Sequence, residues 1–524
     1  MRKTIYYLSI AICLIIANGC DSLELAPEDY YASGNFWQNE SQVDGFVLGL
    51  HADLRASYSN MMFLLGEARG GTQKTGTGSQ GSSLDYSSPI KNNAFTKETT
   101  GISNWLGLYT SILQTNLLIQ ELTEGTAFLS AEKRNYYLGQ AHGLRAFYYF
   151  YLYRTYGGVP IIEEVKVMSG RVEAKDLYQA RASAKETLDF IKDDINISET
   201  SFGNQTQMKN RKAIWSYYAT KMLKAEVYLW SAKVTTGNQS PAASDLAEAE
   251  AALNDVINAP NFELLPSYND VFDYNEKGNN EVIFSIRFAD GEASNFVHSF
   301  SYQIPIFVNS FYDREGELIT TDILDIKSTV VQRNEYKAGL FQSYDDADER
   351  KRSIFLDYYL ADGALAGTVL KKYNGILNAQ GNRSWSDDLV VYRYADALLM
   401  MAEVKNMQDA SVEQYINEIR ERAYGENYDP ALHAYADSDF STNELAILHE
   451  RDKEFVLEGK RWFDIRRMQQ TKGGQPLAFS AAANYDDSNP VINPSSPHLL
   501  LWPVDINTLN NDPELTQTEG YDTE

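Results

Sequence analysis

Residues 132–162 read EKRNYYLGQAHGLRAFYYFYLYRTYGGVPII, and the rest of the chain is organised around them. Ser130 is placed to cap a helix, and Glu132 falls in its first turn, where a carboxylate offsets the helix dipole. Leu138, Ala141, Arg145, Tyr148, Tyr149 and Leu152 recur at three- and four-residue steps, as one packed helix face requires. Gly139 and Gly143 weaken the helix relative to alanine. Placed one turn apart, they leave room for a second helix to approach. Gly157, Gly158 and Pro160 stop the helix, and Val159, Ile161 and Ile162 begin an extended segment. The aromatic run Phe147–Tyr151 reads as packing on both sides of a buried helix; the other reading is a ligand-binding aromatic box.

The chain has 524 residues, 44% hydrophobic and 23% charged, a globular balance with length for a large core. A formal net charge of −26 disfavours binding of nucleic acid or an anionic membrane through the general surface, and leaves a local basic pocket open. The 35 tyrosines suit carbohydrate binding and helix packing alike.

The amino terminus reads as a targeting segment. Arg2 and Lys3 precede an apolar run, Ile5 to Ala17, of secretory length and too short for a comfortable membrane span. Ala17-Asn18-Gly19-Cys20 looks like a bacterial lipobox, with Ala17 in place of the usual leucine and Asn18 atypical. Cleavage before Cys20 would leave its thiol lipidated; an ordinary signal peptide ending near a cysteine is the alternative. Cys13 and Cys20 are the only cysteines, so the mature chain holds none for a disulfide, a thiol catalyst or a zinc-thiolate site.

Along the chain, helical patterns run over about 40–58, 102–122, 176–194, 213–233 and 245–258, and again over 390–405, 412–422 and 444–459. Trp105, Leu108 and Ile112 loosely echo the first helix of a tetratricopeptide repeat. Two regions break the periodicity. Residues 66–95 are rich in Gly, Ser and Thr, and loops of that length in a compact domain are often functional; a surface loop without a ligand is the other reading. Its GTGSQGSS lacks the Gly-Lys-Ser/Thr ending of a phosphate-binding loop. Residues 261–288 end in a short strand, and 289–389 are loop-rich with short extended pieces.

Several stretches resemble the SusD/RagB family, surface lipoproteins of glycan-foraging Bacteroidetes that partner a TonB-dependent outer-membrane transporter. They are the arginine and aromatics followed by YGGVPII, FWQNESQVDGFVLGLHADLR from Phe36, NNEVIFSIRF from Asn279 and HERDKEFVLEGKRWFDIRR from His449. Leu23-Glu24 and Pro27 are similar to the segment after the lipidated cysteine of that family. The resemblance covers essentially the whole mature chain. It implies a mostly α fold, a scaffold of tetratricopeptide-like helical pairs with a loop-rich, irregular half carrying a few short strands. The expected layout is a lipoprotein signal peptide over 1–19, a lipidated tether over 20–35 and one SusD-like domain over 36–524. Within that domain, 36–258 is the helical half and 259–524 the loop-rich half with terminal helices. The family also implies a lipid anchor on Cys20, an outward-facing place on the outer membrane, a SusC-like transporter as partner and no cofactor. The expected role is non-catalytic capture of an oligosaccharide and its delivery to the transporter, with RagB-like capture of peptides as the alternative.

No catalytic motif competes. His449-Glu450 is not a zinc motif, because Lys453 stands where the second histidine belongs, and no G-x-S-x-G elbow occurs. Glycoside hydrolysis by a carboxylate pair stays open, since 72 acidic residues supply many pairs, but no motif points to it. Glu450, Arg451, Glu454, Glu458, Arg461, Asp464 and Arg466 alternate in sign at helical spacing and read as an ion-pair network pinning the last helix, as do Arg393 and Asp396. Sugar rings stack on aromatic faces and bond through amides and cations on loops held by a rigid scaffold. The candidate ligand residues are therefore Arg69, Tyr86, Asn92, Phe95 and Trp385, and the 66–95 and 289–389 regions should share one face. Trp105, Trp215, Trp230 and Trp462 lie in helical patterns and read as core.

Overall fold

A computed structural model of the chain describes residues 36–78, 88–166, 172–485 and 488–521; the proposed signal, tether and Cys20 lie outside them. Six long helices build the amino-terminal half: α1 (Glu40–Asn60), α2 (Leu108–Glu124), α3 (Ala131–Tyr156), α4 (Ala184–Phe202), α5 (Tyr217–Lys233) and α6 (Leu246–Ile257). The organising stretch is α3. Ser130 caps it by accepting from the Lys133 backbone N–H, and Gly157, at φ +78, ends it. From Gly139 to Tyr156 every residue is buried, so α3 is the central pillar, packed by α2 and α4 on either side. Phe147–Tyr151 are each at most 4% exposed, which makes the run packing and leaves no aromatic box.

The room left by the two α3 glycines is used as expected at Gly139, where α4 comes close enough for Ser198 Oγ to donate to the Gly139 carbonyl at 2.6 Å, and rings fill the space at both positions. A Cβ at Gly139 would sit 2.8 Å from the Phe202 ring, and one at Gly143 only 2.0 Å from Trp215 Nε1. Trp215 lies just ahead of α5, where its indole N–H donates to Thr220 Oγ1 at 2.9 Å. The helix expected at 176–194 begins later, at Ala184. There Ser183 and Glu186 close a capping box, and Arg181 ties the preceding extended segment to the carbonyls of Tyr156 and Gly158.

The second half carries β2 (Val282–Ile286), β4 (Phe355–Tyr359), β5 (Leu365–Leu370), β6 (Ile376–Leu377), β7 (Arg383–Ser384) and β8 (Leu389–Arg393), all in two-stranded antiparallel pairs. The expected helix at 390–405 divides in two: Leu389–Arg393 pairs with β2 as strand β8, and only Tyr394–Met407 is helical (α7). The strand is buried on both faces, so it lacks the alternation that would have marked it. Helices α8 (Glu413–Tyr424), α9 (Phe440–Glu454) and α10 (Arg461–Arg467) close the fold. One hydrophobic core runs through both halves.

The expected ion-pair network is present and interior except at Arg466, which pairs with no carboxylate among the described residues: its guanidinium donates to the Arg154 carbonyl, beside the Arg154 charge. The Arg393 guanidinium, fully buried, meets Glu281 at 2.7 Å, Glu454 at 2.6 Å and Glu458 at 2.8 Å. Arg350 joins Asp348, Glu450 and Glu454, and Arg451 joins Asp396 and Asp464. Burial opposes the charge on Glu454, but Arg422, Arg393 and Arg350 outweigh it and hold the carboxyl well below its ordinary range. These pairs fasten α9 and α10 to α7 and to the start of β2. Truncating one partner would strand buried charge.

Candidate functional site

The first irregular region opens with a π-helical turn, Met61–Glu67, and continues into β1 (Gln73–Thr75). Strand β1 pairs antiparallel with β3 (Asn334–Tyr336), Gln73 opposite Tyr336 and Thr75 opposite Asn334. The described part of the 66–95 region thus lies against the 289–389 region, as expected from the sequence. The stem is pinned closely. A Cβ at Gly76 would meet the Gln332 carbonyl oxygen at 2.1 Å, and Gly78 N–H donates to Gln332 Oε1 at 2.8 Å. The buried Glu335 carboxylate accepts from Thr77 N at 2.7 Å and Thr368 N at 3.0 Å, and pairs with Lys74 Nζ at 3.0 Å.

The outgoing stem is fixed to a different part of the molecule. Asn93, at φ +50, accepts from Arg69 Nε at 2.8 Å. The Arg69 guanidinium carbon sits 3.8 Å from the Trp462 ring, 4.6 Å from Phe95 and 4.7 Å from Trp502. Phe95 stacks on Trp502 at 4.8 Å, with the two rings 2° from parallel. Trp502 in turn donates its backbone N–H to Thr155 O at 2.8 Å and its indole N–H to Thr100 O at 2.9 Å. This carboxyl-terminal strap buckles the loop's exit to α3.

The expected ligand residues separate accordingly. Arg69 is 0% exposed and Phe95 3%, so neither offers a face to a ligand; the Trp462 and Trp502 rings cover the Arg69 guanidinium. Trp385, 7% exposed, is also no platform: its ring meets His298 edge-on at 5.8 Å, and its carbonyl accepts from Asn295 N at 2.7 Å. Arg69 and Phe95 position the loop, and Trp385 supports the segment beneath His298. Asn92 is exposed at the rim. Tyr86 lies outside the described residues.

Around Asn92 the two regions form a continuous polar ledge. Lys91 Nζ bridges the carbonyls of Lys74 at 3.4 Å and Arg333 at 3.3 Å. Arg333 N donates to Ser299 O at 2.8 Å, which brings Arg333 beside His298. The His298 imidazole lies below its ordinary pKa, first through lost solvation and further through the Arg333 charge, while its bond to Asn295 opposes both. With Nδ1 held against the Asn295 carbonyl at 3.3 Å, Nε2 is the ring nitrogen left to meet a ligand. The ledge therefore presents Lys74, Thr77, Asn92, His298 and Arg333, with the buried Lys91 tying the two stems together behind them, a patch richer in cations than the acidic chain as a whole. All six lie within the 66–95 and 289–389 regions marked from the sequence, and of them only Asn92 is among the candidate ligand residues. The β1–β3 register that joins the rest spans three residues on each strand, too short to leave a periodic signal.

Two family profiles match the chain: one described as the SusD family over residues 361–521, the other as starch-binding, associating with the outer membrane, over residues 28–229. A SusD superfamily protein of Bacteroides fragilis is 40% identical, with 93% of this chain and 100% of that one aligned at a TM-score of 0.86. This chain belongs to the SusD/RagB family. The B. fragilis protein NanU is 32% identical over 94% of this chain and 99% of its own, at a TM-score of 0.81. A SusD-like protein of Formosa agariphila is 26% identical across 98% of each chain. The mostly α fold with few short strands is that of SusD-like proteins, and the second profile's description ties the family to starch binding and the outer membrane.

Proposed function

We propose that this SusD-like chain is a non-catalytic cell-surface protein that binds an oligosaccharide at the ledge and passes it to a TonB-dependent transporter. The observation that carries the reading is the ledge itself: amide, imidazole and cationic groups on two stems pinned to a rigid scaffold, in a family described as starch-binding. The surface glycan-binding protein A of Bacteroides thetaiotaomicron, solved with laminarihexaose, shares the fold at a TM-score of 0.67 and 18% identity. A glycan array on the purified mature chain, followed by calorimetry on each hit, tests the reading. Micromolar to millimolar binding of an oligosaccharide is expected, and product release from any of them would return the enzyme reading.

The anchor and the partner belong to the same proposal. Cys20 carries the lipid, and residues 36–524 act as one binding domain on the outer surface. After gentle solubilisation the wild type should copurify with a barrel transporter, while Cys20→Ala should leave the membrane fraction. A wild-type chain that purifies alone would favour a free-standing binding module. RagB-like capture of peptides is the second reading, because the ledge's cations and backbone groups also suit a peptide. A peptide library on the same array surface separates the two.

A further inference from the structure

Away from the ledge, a cleft of about 300 Å³ opens between the turn at residues 268–275 and the segment Lys371–Ile376, with Asp387 also in its lining. None of its lining residues belongs to the ledge. Phe272 and Tyr274 stand half-buried in its wall, and Asn269 and Asn275 are exposed along it. Asn374 Oδ1 is buried there without a hydrogen-bond partner, an acceptor already stripped of water. The backbone beneath is strained to hold this shape. Tyr373 sits at φ +60, a left-handed conformation unusual for a bulky residue, and its ring is locked edge-on against Phe272 at 5.2 Å. Gly375 follows at φ +64, where a Cβ would lie 1.9 Å from the Ser384 carbonyl oxygen, and its N–H donates to Asp387. Strain of this kind persists where surrounding structure over-determines it, and it concentrates at ligand clamps.

We propose that this cleft is a second carbohydrate site, taking one or two neutral hexose units. It extends the glycan reading of the ledge without depending on it. Lys277 Nζ lies 4.0 Å from the Tyr274 centroid and Lys372 Nζ 4.1 Å from the Phe272 centroid, so it is the opposite ring face that would take the CH side of a pyranose, and the exposed Asn269 and Asn275 amides supply partners for hydroxyls. The charges that line it are already committed. Lys372 Nζ is paired with Glu458 at 2.6 Å and donates to Val456 O at 2.8 Å, and Lys371 Nζ donates to Arg352 O at 2.6 Å. Asp273 accepts from the Asn275 N–H at 2.8 Å. With Lys372 neutralised by Glu458 and the carboxyl groups of Asp273 and Asp387 in the lining, the cleft disfavours an acidic sugar and selects a neutral one.

Calorimetry on the mature chain with laminarihexaose, maltohexaose, cellohexaose, mannohexaose and galactohexaose tests the site. Two cleft variants, Tyr274→Ala and Asn374→Ala, are compared with a ledge variant, Asn92→Ala with His298→Ala, and circular dichroism checks that each is folded. Each cleft variant should weaken at least one hexasaccharide about tenfold, or remove one of two binding steps. If the cleft variants lose binding while the ledge variant keeps it, the cleft stands and the ledge reading falls. If both cleft variants, folded, bind all five sugars as the wild type does, the cleft proposal is overturned and the ledge reading survives. A wild type that binds none of the five overturns the cleft proposal as well.

Discussion

Replacing Gly143 by alanine tests the packing of the central pillar. The added Cβ would lie 2.0 Å from Trp215 Nε1 and 2.7 Å from its Cδ1 and Cε2, where ordinary contact begins near 3.4 Å. The indole must therefore move by more than about 1 Å, the gap between those distances. It has nowhere to go: Trp215 is 0% exposed and packed against Phe147 at 5.4 Å and Phe284 at 5.1 Å. Overpacking a filled core costs about 1–3 kcal/mol. Losing the Trp215–Thr220 hydrogen bond costs about 1 kcal/mol more. Against this, alanine favours the helix by about 1 kcal/mol. The net expectation is a loss of about 1–3 kcal/mol, by the same three terms. Gly45→Ala in α1 is the control: nothing lies within 4 Å of its Cβ, so only the helix gain remains. Urea unfolding followed by tryptophan fluorescence reads both. A Gly143→Ala chain as stable as the wild type would refute the packing argument, because the steric term would then be absent.

Two further perturbations probe buried charge. Arg393→Met removes the cation shared by Glu281, Glu454 and Glu458 and should cost about 3–5 kcal/mol, read by the same urea assay; a loss below 1 kcal/mol would mean that Arg422 and Lys372 compensate. Burial, outweighing the Gly459 N–H and the Lys372 charge, pushes Glu67 up to about 8 from 4.5. A carboxyl raised on folding costs stability progressively as pH climbs from 4.5 to 8 and fully above that. Glu67→Gln keeps an oxygen for the N–H groups of Glu458 and Gly459, so its stability relative to the wild type should improve between pH 5 and pH 9; an unchanged difference would show that Glu67 is ionised in the folded chain without penalty.

The parts of the fold legible in the sequence are those with local chemistry. Ser130 and Gly157 mark the ends of α3 because caps act over a few residues. The sign alternation from Glu450 to Asp464 marked residues that do pair, while Arg466 continues the pattern and instead donates to the Arg154 carbonyl; a solvated helix face carries the same alternation, so the burial of the pairs was not legible. The β8–α7 boundary was missed because a strand buried on both faces continues the helix's apolar run. The ligand residues suffered most. Arg69 and Phe95 have the composition of a sugar platform, and what covers them is supplied from far along the chain: Leu499, whose carbonyl accepts from Arg69, is 430 residues away. Trp385 was misread for the same reason, since Asn295 and His298 close over it only through the tertiary fold. Among the candidates that lie in the described residues, Asn92 alone has the exposure that a ligand contact requires.

The central claim is that the ledge joining the β1 stem to the 298–333 segment binds a glycan. The direct measurement is the dissociation constant of the best array hit for the wild type and for a chain carrying Asn92→Ala and His298→Ala. Both residues are exposed, but the His298 ring also packs against Trp385, so circular dichroism and urea unfolding check that the doubly substituted chain keeps its fold. Affinity should fall about tenfold or more, the loss of two hydrogen-bonding groups at about 1 kcal/mol each. A doubly substituted chain that binds the same sugar with wild-type affinity would contradict the assignment of the ledge.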